Sequence, residues 1–501
     1  MSPLPPPASR SVLLAGLSGA IAALGHAPFG FPMFALAGFA VGVWVVAQSD
    51  GWRRSSFLGW AFGFGYFLVC LHWIVEPFLV DPPRHGWMAP FALLLLPGGL
   101  ALFWGAAGAL SAVLVRPARR AVGFGLALAL AEIARGYVLT GFPWALFGSI
   151  WLDTPIAQSA RVLGLHGLST LTVLSAAGSV AVWCALSGTS RVLALLPATL
   201  ILSVLFVYGA SLPPAPNAVD SAPILRLVQP NAEQHLKWEP DYVRIFYQRQ
   251  LDLTLGTGTA DLVIWPETSI AQPLGTAGPV LEQISRFSGG APVIVGANRW
   301  RPEGPGNSLA VIAEGGVIEA LYDKAHLVPF GEYIPMGDFA AQFGIKGLAA
   351  REGGGFAPGP GPQLIDLGPL GTALPLICYE AIFPQFGRTL APDADWMVQI
   401  TNDAWFGRFA GPQQHLAIAR FRAIERGMPL VRVANTGISA VIDARGALVD
   451  ALPLNEAGAL DVPLPPKIGT TPHVRVGDWP AVALLFVSFL SLLAFGRRTG
   501  D

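Results

Sequence analysis

Three polar residues stand at the ends of apolar, strand-like runs. Glu267 follows Ile264-Trp265-Pro266, Lys324 sits in Tyr322-Asp323-Lys324-Ala325-His326, and Cys378 closes the run 372–377 ahead of Tyr379 and Glu380. Glu, Lys and Cys can make a base, an oxyanion stabiliser and a nucleophile. A free thiol is only slightly ionised at neutral pH, so a nucleophilic cysteine needs a base beside it. Glu267 can serve if burial brings its carboxyl toward the working range. Lys324 can hold the negative charge that develops on an attacked carbonyl oxygen. Together they would make an acyl-transfer site with a covalent thioester. Each residue also has a plain reading: a core cysteine, a glutamate capping the next helix, a solvated lysine. Their conjunction favours the chemical one.

The elements that must hold these residues occupy the polar part of the chain. After the linker Pro213-Pro214-Ala215-Pro216, strand-like runs fall at 224–228, 261–265, 292–297, 372–378, 396–401 and 430–435. Helix-like runs fall between them at 241–255, 280–287, 384–390 and 413–426, with hairpins expected around 314–316 and through Gly446. Strands alternating with helices argue for α/β layers. Residues 340–362 are rich in glycine with little periodicity and read as a loop, a candidate arm over the site.

The rest is apolar. Of 501 residues, 53% are hydrophobic and 13% charged, about half the charge of an ordinary soluble chain. Candidate membrane spans run over 12–24, 32–47, 57–75, 90–115, 122–139, 163–186 and 192–212, with an eighth at 481–495. The first is not read as a cleaved signal peptide, because further apolar segments follow closely. Arginines gather in alternate loops: Arg10, Arg53 and Arg54, then Arg116, Arg119 and Arg120, then Arg191, then Arg497 and Arg498. Positive charge collects on the cytoplasmic side. Both termini are therefore expected in the cytoplasm, with the polar region outside it. The expected domains are 1–212 with seven spans, 213–478 as an extracytoplasmic catalytic domain, and 479–501 with the eighth span. A net charge of −1 argues against nucleic-acid binding.

The segments around Trp265-Pro266-Glu267, Lys324 with Pro329-Phe330-Gly331-Glu332, and Ile377-Cys378-Tyr379-Glu380 resemble the three motifs of the nitrilase (carbon–nitrogen hydrolase) superfamily. With the flanking spans, the chain resembles the apolipoprotein N-acyltransferase family over essentially its full length. Ala27-Pro28-Phe29-Gly30, Thr140-Gly141-Phe142-Pro143-Trp144, Lys237-Trp238, Asn307-Ser308 and Thr401-Asn402-Asp403-Ala404-Trp405-Phe406 belong to the same likeness. Pro230 and Ala232 depart from a more regular Gln-x-Asn-Ile pattern. The resemblance implies an α-β-β-α sandwich on a membrane domain of eight transmembrane helices in a bacterial inner membrane. It implies a Glu267–Lys324–Cys378 triad, with Glu332 a second acid and Trp238, Tyr379 and Glu380 lining or supporting the site. It implies a phospholipid acyl donor, phosphatidylethanolamine, and the N-terminal diacylglyceryl-cysteine of an apolipoprotein as acceptor. No cofactor or metal is expected, and a monomer is.

Two rivals stay open. A membrane-anchored amidase would use the same triad on a small C–N bond. A transporter or receptor with an inactive domain predicts a broken triad and charges in mid-span. Other polar residues have structural readings: His326, two residues from Lys324, as a structural or surface histidine ahead of a second base, Asn402 and Asp403 as pocket-shaping or turn residues, and Glu132 with Arg135 as a snorkelling or structural pair. His235 and His415 have no ligand-like spacing. Trp73, Trp87, Trp144 and Trp151 fit an interfacial belt.

Overall fold

The computed structural model describes residues 8–256, 258–335 and 355–497. The chain divides into two compact units, 1–213 with 475–501, and 214–474.

The first unit is helical: α1 (Ala8–Ala23), α2 (Pro32–Ala47), α3 (Trp52–Cys70), the single turn α4 (Pro82–His85), α5 (Ala89–Leu114), α6 (Arg120–Arg135), α7 (Ala160–Ala185) and α8 (Leu196–Ser211). Each of the seven apolar stretches before residue 213 falls on one of these helices. Among the described residues, three helical segments can cross a membrane by length and composition: Pro82–Leu114, Pro155–Ala185 and Gly188–Ser211. Trp52–Cys70 and His72–Leu79, bent by 50°, make a fourth if they form one span. The others fall short for a simple reason. A helix of 16 residues, such as α2, rises about 24 Å, against a hydrocarbon core of about 30 Å.

Glu132 and Arg135 form a buried structural pair and do not snorkel. Arg135 grips both Glu132 oxygens, at 3.0 and 2.6 Å, and reaches the carbonyls of Phe142 and Trp144. Trp104 donates to the same carboxylate at 2.8 Å. The expected tryptophan belt is corrected in part. Trp73, Trp144 and Trp151 are buried and only Trp87 is exposed; Trp73 packs on Trp144, and the Trp151 indole donates to Thr172.

The second unit carries two six-stranded sheets, ordered β12-β1-β2-β3-β4-β5 and β11-β10-β9-β8-β7-β6. The first contains β1 (Ile224–Gln229), β2 (Leu262–Ile264), β3 (Val293–Arg301), β4 (Gly304–Ile312), β5 (Ile318–Asp323) and β12 (Gly458–Pro463). The second contains β6 (Ile365–Asp366), β7 (Thr372–Ile377), β8 (Trp396–Thr401), β9 (Leu430–Ala434), β10 (Ser439–Ile442) and β11 (Leu448–Leu452). β1, β2 and β3 run parallel, as do β7, β8 and β9, and the flanking strands are antiparallel. The parallel strands are covered on both faces, which is why they read as continuous apolar runs.

One core lies between the sheets, with Leu225, Ile264, Ile294 and Tyr322 facing Ile377, Val398, Val431 and Val441. A second fills the space between the first sheet and the helices α9 (Pro240–Leu255) and α10 (Gly278–Phe287). A third lies between the second sheet and α11 (Gly411–Arg426). The unit is therefore an α-β-β-α sandwich. The chain closes with the short α12 (Pro472–Val476) and the apolar α13 (Trp479–Arg497), which falls on the eighth apolar stretch.

One expectation fails. Residues 384–390 are not an α-helix; the chain makes 3-10 turns at Cys378–Ile382 and Arg388–Leu390. Pro384 cannot donate to a helix there, and Gly387 sits at φ +65, which breaks any helical run.

Candidate active site

Cys378 is the first residue after β7. Its φ is +50, left-handed backbone that a non-glycine residue adopts at a cost of roughly 1–3 kcal/mol. That bend turns the chain from strand into the 3-10 turn Cys378–Ile382. Glu380 holds it: one carboxylate oxygen accepts the Ile377 N–H at 2.7 Å. The other accepts the Tyr322 hydroxyl at 2.7 Å and the N–H groups of Ala325 and His326 at 2.7 and 3.1 Å. One buried carboxylate thus ties the cysteine bend to the end of β5. Burial pushes that carboxyl up to about 7, against the pull of these donors and of Lys324.

Lys324 follows β5, and its N–H bonds to the Asn307 carbonyl across the hairpin at 2.8 Å. Its ammonium is 1% exposed and lies 2.9 Å from Glu332 Oε1 and 3.4 Å from Glu267 Oε1. Burial alone would lower the Lys324 pKa, but Glu332, Glu267 and Cys378 outweigh it and raise it. The ammonium is therefore charged.

Glu267 lies beyond β2 and is buried. No helix starts directly after it, so the capping reading fails; its carboxylate is taken up elsewhere. Asn307 Nδ2 donates to Oε1 at 2.6 Å and to Glu332 Oε1 at 3.2 Å. The Asn402 N–H donates to Glu267 Oε2 at 2.9 Å. The backbone here is also strained, with Thr268 at φ +46. The Lys237 ammonium braces it, 3.3 Å from both the Glu267 carbonyl and the Thr268 hydroxyl.

The structure therefore brings Glu267, Lys324 and Glu332 into one buried cluster, with the Cys378 thiol in electrostatic contact with Glu267 and Lys324. Tyr379 is buried against Phe383, whose ring also stacks on His326. Trp238 lines a cavity of about 250 Å³ with Lys237, Phe246 and Pro266, on the side of Glu267 where Lys237 bonds its carbonyl. Residues 340–354 of the glycine-rich segment lie outside the described residues. The described remainder is tied down, with the N–H groups of Phe356 and Gly359 bonded to the Glu332 and Lys324 carbonyls. Of the apolar residues beside Lys324, Leu327 is buried and Phe330 is exposed.

Sequence reasoning gave Asn307 no role. Its one signal was the Asn307-Ser308 piece of the family likeness; in the structure it is a buried amide on β4.

Burial, then Glu267, push the Cys378 thiol up, while Lys324 pulls it down; the balance lies well above the ordinary thiol value. Cys378 thus rests as a neutral thiol, so any attack by its sulfur requires that proton to leave. Labelling of Cys378 by iodoacetamide should consequently be slow at pH 7. It should rise about tenfold per pH unit up to pH 9, as the thiolate fraction grows. A rate already flat from pH 6 would show a preformed thiolate.

Residues 18–178 match the family model "Apolipoprotein N-acyltransferase N-terminal domain", and residues 223–472 match "Carbon-nitrogen hydrolase". The apolipoprotein N-acyltransferase of Caulobacter vibrioides is 38% identical over 498 residues, covering 95% of this chain and 93% of the relative. That of Rhodopseudomonas palustris is 36% identical over 517 residues, covering 98% and 96%. Among solved structures, a CN-hydrolase superfamily protein from Xanthomonas campestris aligns with 48% of this chain and 90% of its own, at 20% identity and a TM-score of 0.35. With relatives aligned almost from end to end, the chain belongs to the apolipoprotein N-acyltransferase family.

Proposed function

We propose that this chain moves a fatty acyl group from a membrane phospholipid, phosphatidylethanolamine, to the α-amino group of the N-terminal diacylglyceryl-cysteine of an apolipoprotein. Glu267 takes the Cys378 proton as sulfur attacks the ester carbonyl, and Lys324 holds the oxyanion. The ester C–O bond breaks, Glu267 returns the proton to the departing lysophospholipid, and a thioester remains on Cys378. The acceptor amine then attacks that thioester. An amide forms, the C–S bond breaks, and the amine proton passes through Glu267 to restore the thiol. Glu332 keeps Lys324 charged, Glu380 and Tyr379 support the bend, and Trp238 contributes to substrate binding.

The observation that carries this reading is the buried cluster of Glu267, Lys324 and Glu332 beside a strained cysteine, on a chain whose other unit is apolar helix. Both substrates are lipid-anchored. Extracting an acyl chain from lipid costs about 0.8 kcal/mol per CH₂, so an enzyme held in the bilayer avoids that penalty. Shielding from water also protects the thioester from hydrolysis. In this reading 1–212 and 479–501 cross the bacterial inner membrane eight times, both termini are cytoplasmic, and 213–478 works outside as a monomer. The amidase reading shares the site but gives the apolar unit no task beyond anchoring.

Intact mass spectrometry after incubation with phosphatidylethanolamine tests the proposal. The expected result is an acyl-sized adduct on the Cys378 peptide, labile to hydroxylamine, that disappears on adding a diacylated lipopeptide as the lipopeptide gains the acyl group. Loss of the adduct to water with no transfer would favour a hydrolase. No adduct under any condition would favour the inactive-domain reading.

A further inference from the structure

The cavity of about 250 Å³ beside Glu267 holds two buried polar groups that the reaction above does not use. Lys237, between β1 and α9, is 6% exposed. Its Nζ has two hydrogen-bond acceptors among the described residues, the Glu267 carbonyl and the Thr268 hydroxyl, both at 3.3 Å. An ammonium carries three N–H donors, so one is left over. The nearby Glu267 carboxylate is taken up by Asn307, the Asn402 N–H and Lys324. Lys237 otherwise faces the Trp238 ring, 5.1 Å from its centroid. Burial pulls this ammonium down to about 8, and Glu267 raises it only in part.

Gln250, on α9, is 3% exposed and lines the same cavity. Its Nε2 donates to the Ser269 and Phe246 carbonyls, at 3.0 and 3.4 Å. Turning the amide over would set its oxygen against two carbonyl oxygens, so its orientation is fixed. Oε1 then has no partner among the described residues. A buried cation without a counter-ion and a buried acceptor without a donor are both costly. Arg244 and Gln272 also line the cavity and are exposed, so it can be filled from outside.

The occupant these groups call for carries an anion for Lys237 and an N–H or O–H for Gln250. A fatty acyl chain has neither. Water satisfies Gln250 but brings no charge to Lys237. A cavity of about 150 Å³ takes up a benzene, so this one takes a small polar group. Phosphoethanolamine supplies both needs at once: a phosphate oxygen accepts from Lys237, and its ammonium donates to Gln250 Oε1. In the proposed donor lipid that group is joined to the attacked ester through a single glycerol unit. Lys237 bonds the main chain of the proposed base, so a phosphate held there stays close to the reacting ester.

We infer that this cavity binds the phosphoethanolamine headgroup of the acyl-donor lipid, with Lys237 on the phosphate and Gln250 Oε1 on the ammonium. The inference deepens the acyl-enzyme reading and rests on it.

Native mass spectrometry of the full chain carrying Cys378→Ala, in detergent, tests it without any turnover. The probes are phosphatidylethanolamine and its mono-, di- and trimethylated forms, with identical acyl chains. The first three keep an N–H and should bind at least about tenfold tighter than the trimethylated lipid, phosphatidylcholine, which has none. Gln250→Leu should bring all four within about twofold. Lys237→Met should weaken all four about tenfold, because all carry the phosphate. If Gln250→Leu does not fold, the methyl series decides alone: a fall confined to the third methyl supports the site, and an even fall or none overturns it. Free O-phosphoethanolamine that displaces the lipid at equal concentration would overturn the lipid assignment in favour of a soluble phosphoester. Acylation kinetics with Cys378 intact separate this inference from the reading beneath it. In Gln250→Leu, KM for phosphatidylethanolamine should rise about tenfold, with kcat within about threefold. A lipid preference that survives Gln250→Leu in a chain that acylates normally would overturn the headgroup site alone. A preference abolished by Gln250→Leu in a chain whose Cys378 never acylates would keep the site and overturn the acyl-enzyme reading.

Discussion

Replacing Lys324 by methionine should lower acyl transfer about 1000-fold or more and also destabilise the catalytic unit. In the proposed mechanism, losing the oxyanion donor alone accounts for about 100- to 1000-fold. The rest comes from the base. Without the ammonium, Glu267 and Glu332 face each other across Asn307 Nδ2, at 2.6 and 3.2 Å, with no cation between them. Two like charges in one buried site repel each other, so the carboxylates are pushed apart and Glu267 is no longer held for its proposed role. Removing one member of a buried ion pair typically costs about 3–5 kcal/mol. Lys324→Arg should not rescue activity, because a planar fork does not fit where a point charge meets two carboxylates. A double variant separates the two losses. Lys324→Met with Glu332→Gln should recover much of the thermal midpoint and none of the rate. A double variant with recovered turnover would remove Lys324 from the chemistry.

How far the sequence could be read follows from the range of the interactions. Cys378, Glu267 and Lys324 stood out because each ends an apolar run, and runs are local. The parallel strands β7, β8 and β9 were legible for the same reason. Asn402 was ambiguous because its N–H meets a carboxylate 135 residues away, and no local pattern carries that pairing. The same holds for β12, an edge strand that pairs with β1 from the far end of the unit. Residues 384–390 were misread as helix because Phe386 and Leu390 fall at helical spacing, while Pro384 and Gly387 prevent it. In the apolar unit the helices were plain from composition. Which of them cross a membrane was not, since α2 and α6 have only 16 residues each. His415 was set aside for lacking ligand-like spacing, yet its partners Gln399, Asp403 and Arg432 come from three other elements.

Glu380→Ala should unfold or misassemble the catalytic unit rather than merely slow it. The Glu380 carboxylate has 0% exposure and accepts four donors: the N–H groups of Ile377, Ala325 and His326 and the Tyr322 hydroxyl. Each donor left buried without an acceptor costs about 1–3 kcal/mol, so truncation costs about 4–12 kcal/mol before any cavity is counted. A whole domain is stable by about 5–15 kcal/mol. Glu380→Gln should be milder. It keeps one oxygen for the β5 end but sets an NH₂ against the Ile377 N–H, a loss of about 1–3 kcal/mol. The two variants should also differ from wild type in pH response. The folded carboxyl titrates near 7, against an ordinary 4.5, so it binds its proton more tightly folded than unfolded. Its contribution to stability is therefore fully present below about pH 4.5 and is lost as the pH rises through about 7. Thermal midpoints in detergent between pH 5 and 8 should fall with rising pH in wild type and stay flatter in Glu380→Gln. A Glu380→Ala chain that melts with wild type would mean the four donors find other acceptors, and that the cysteine bend and the lysine loop are joined by something other than this carboxylate.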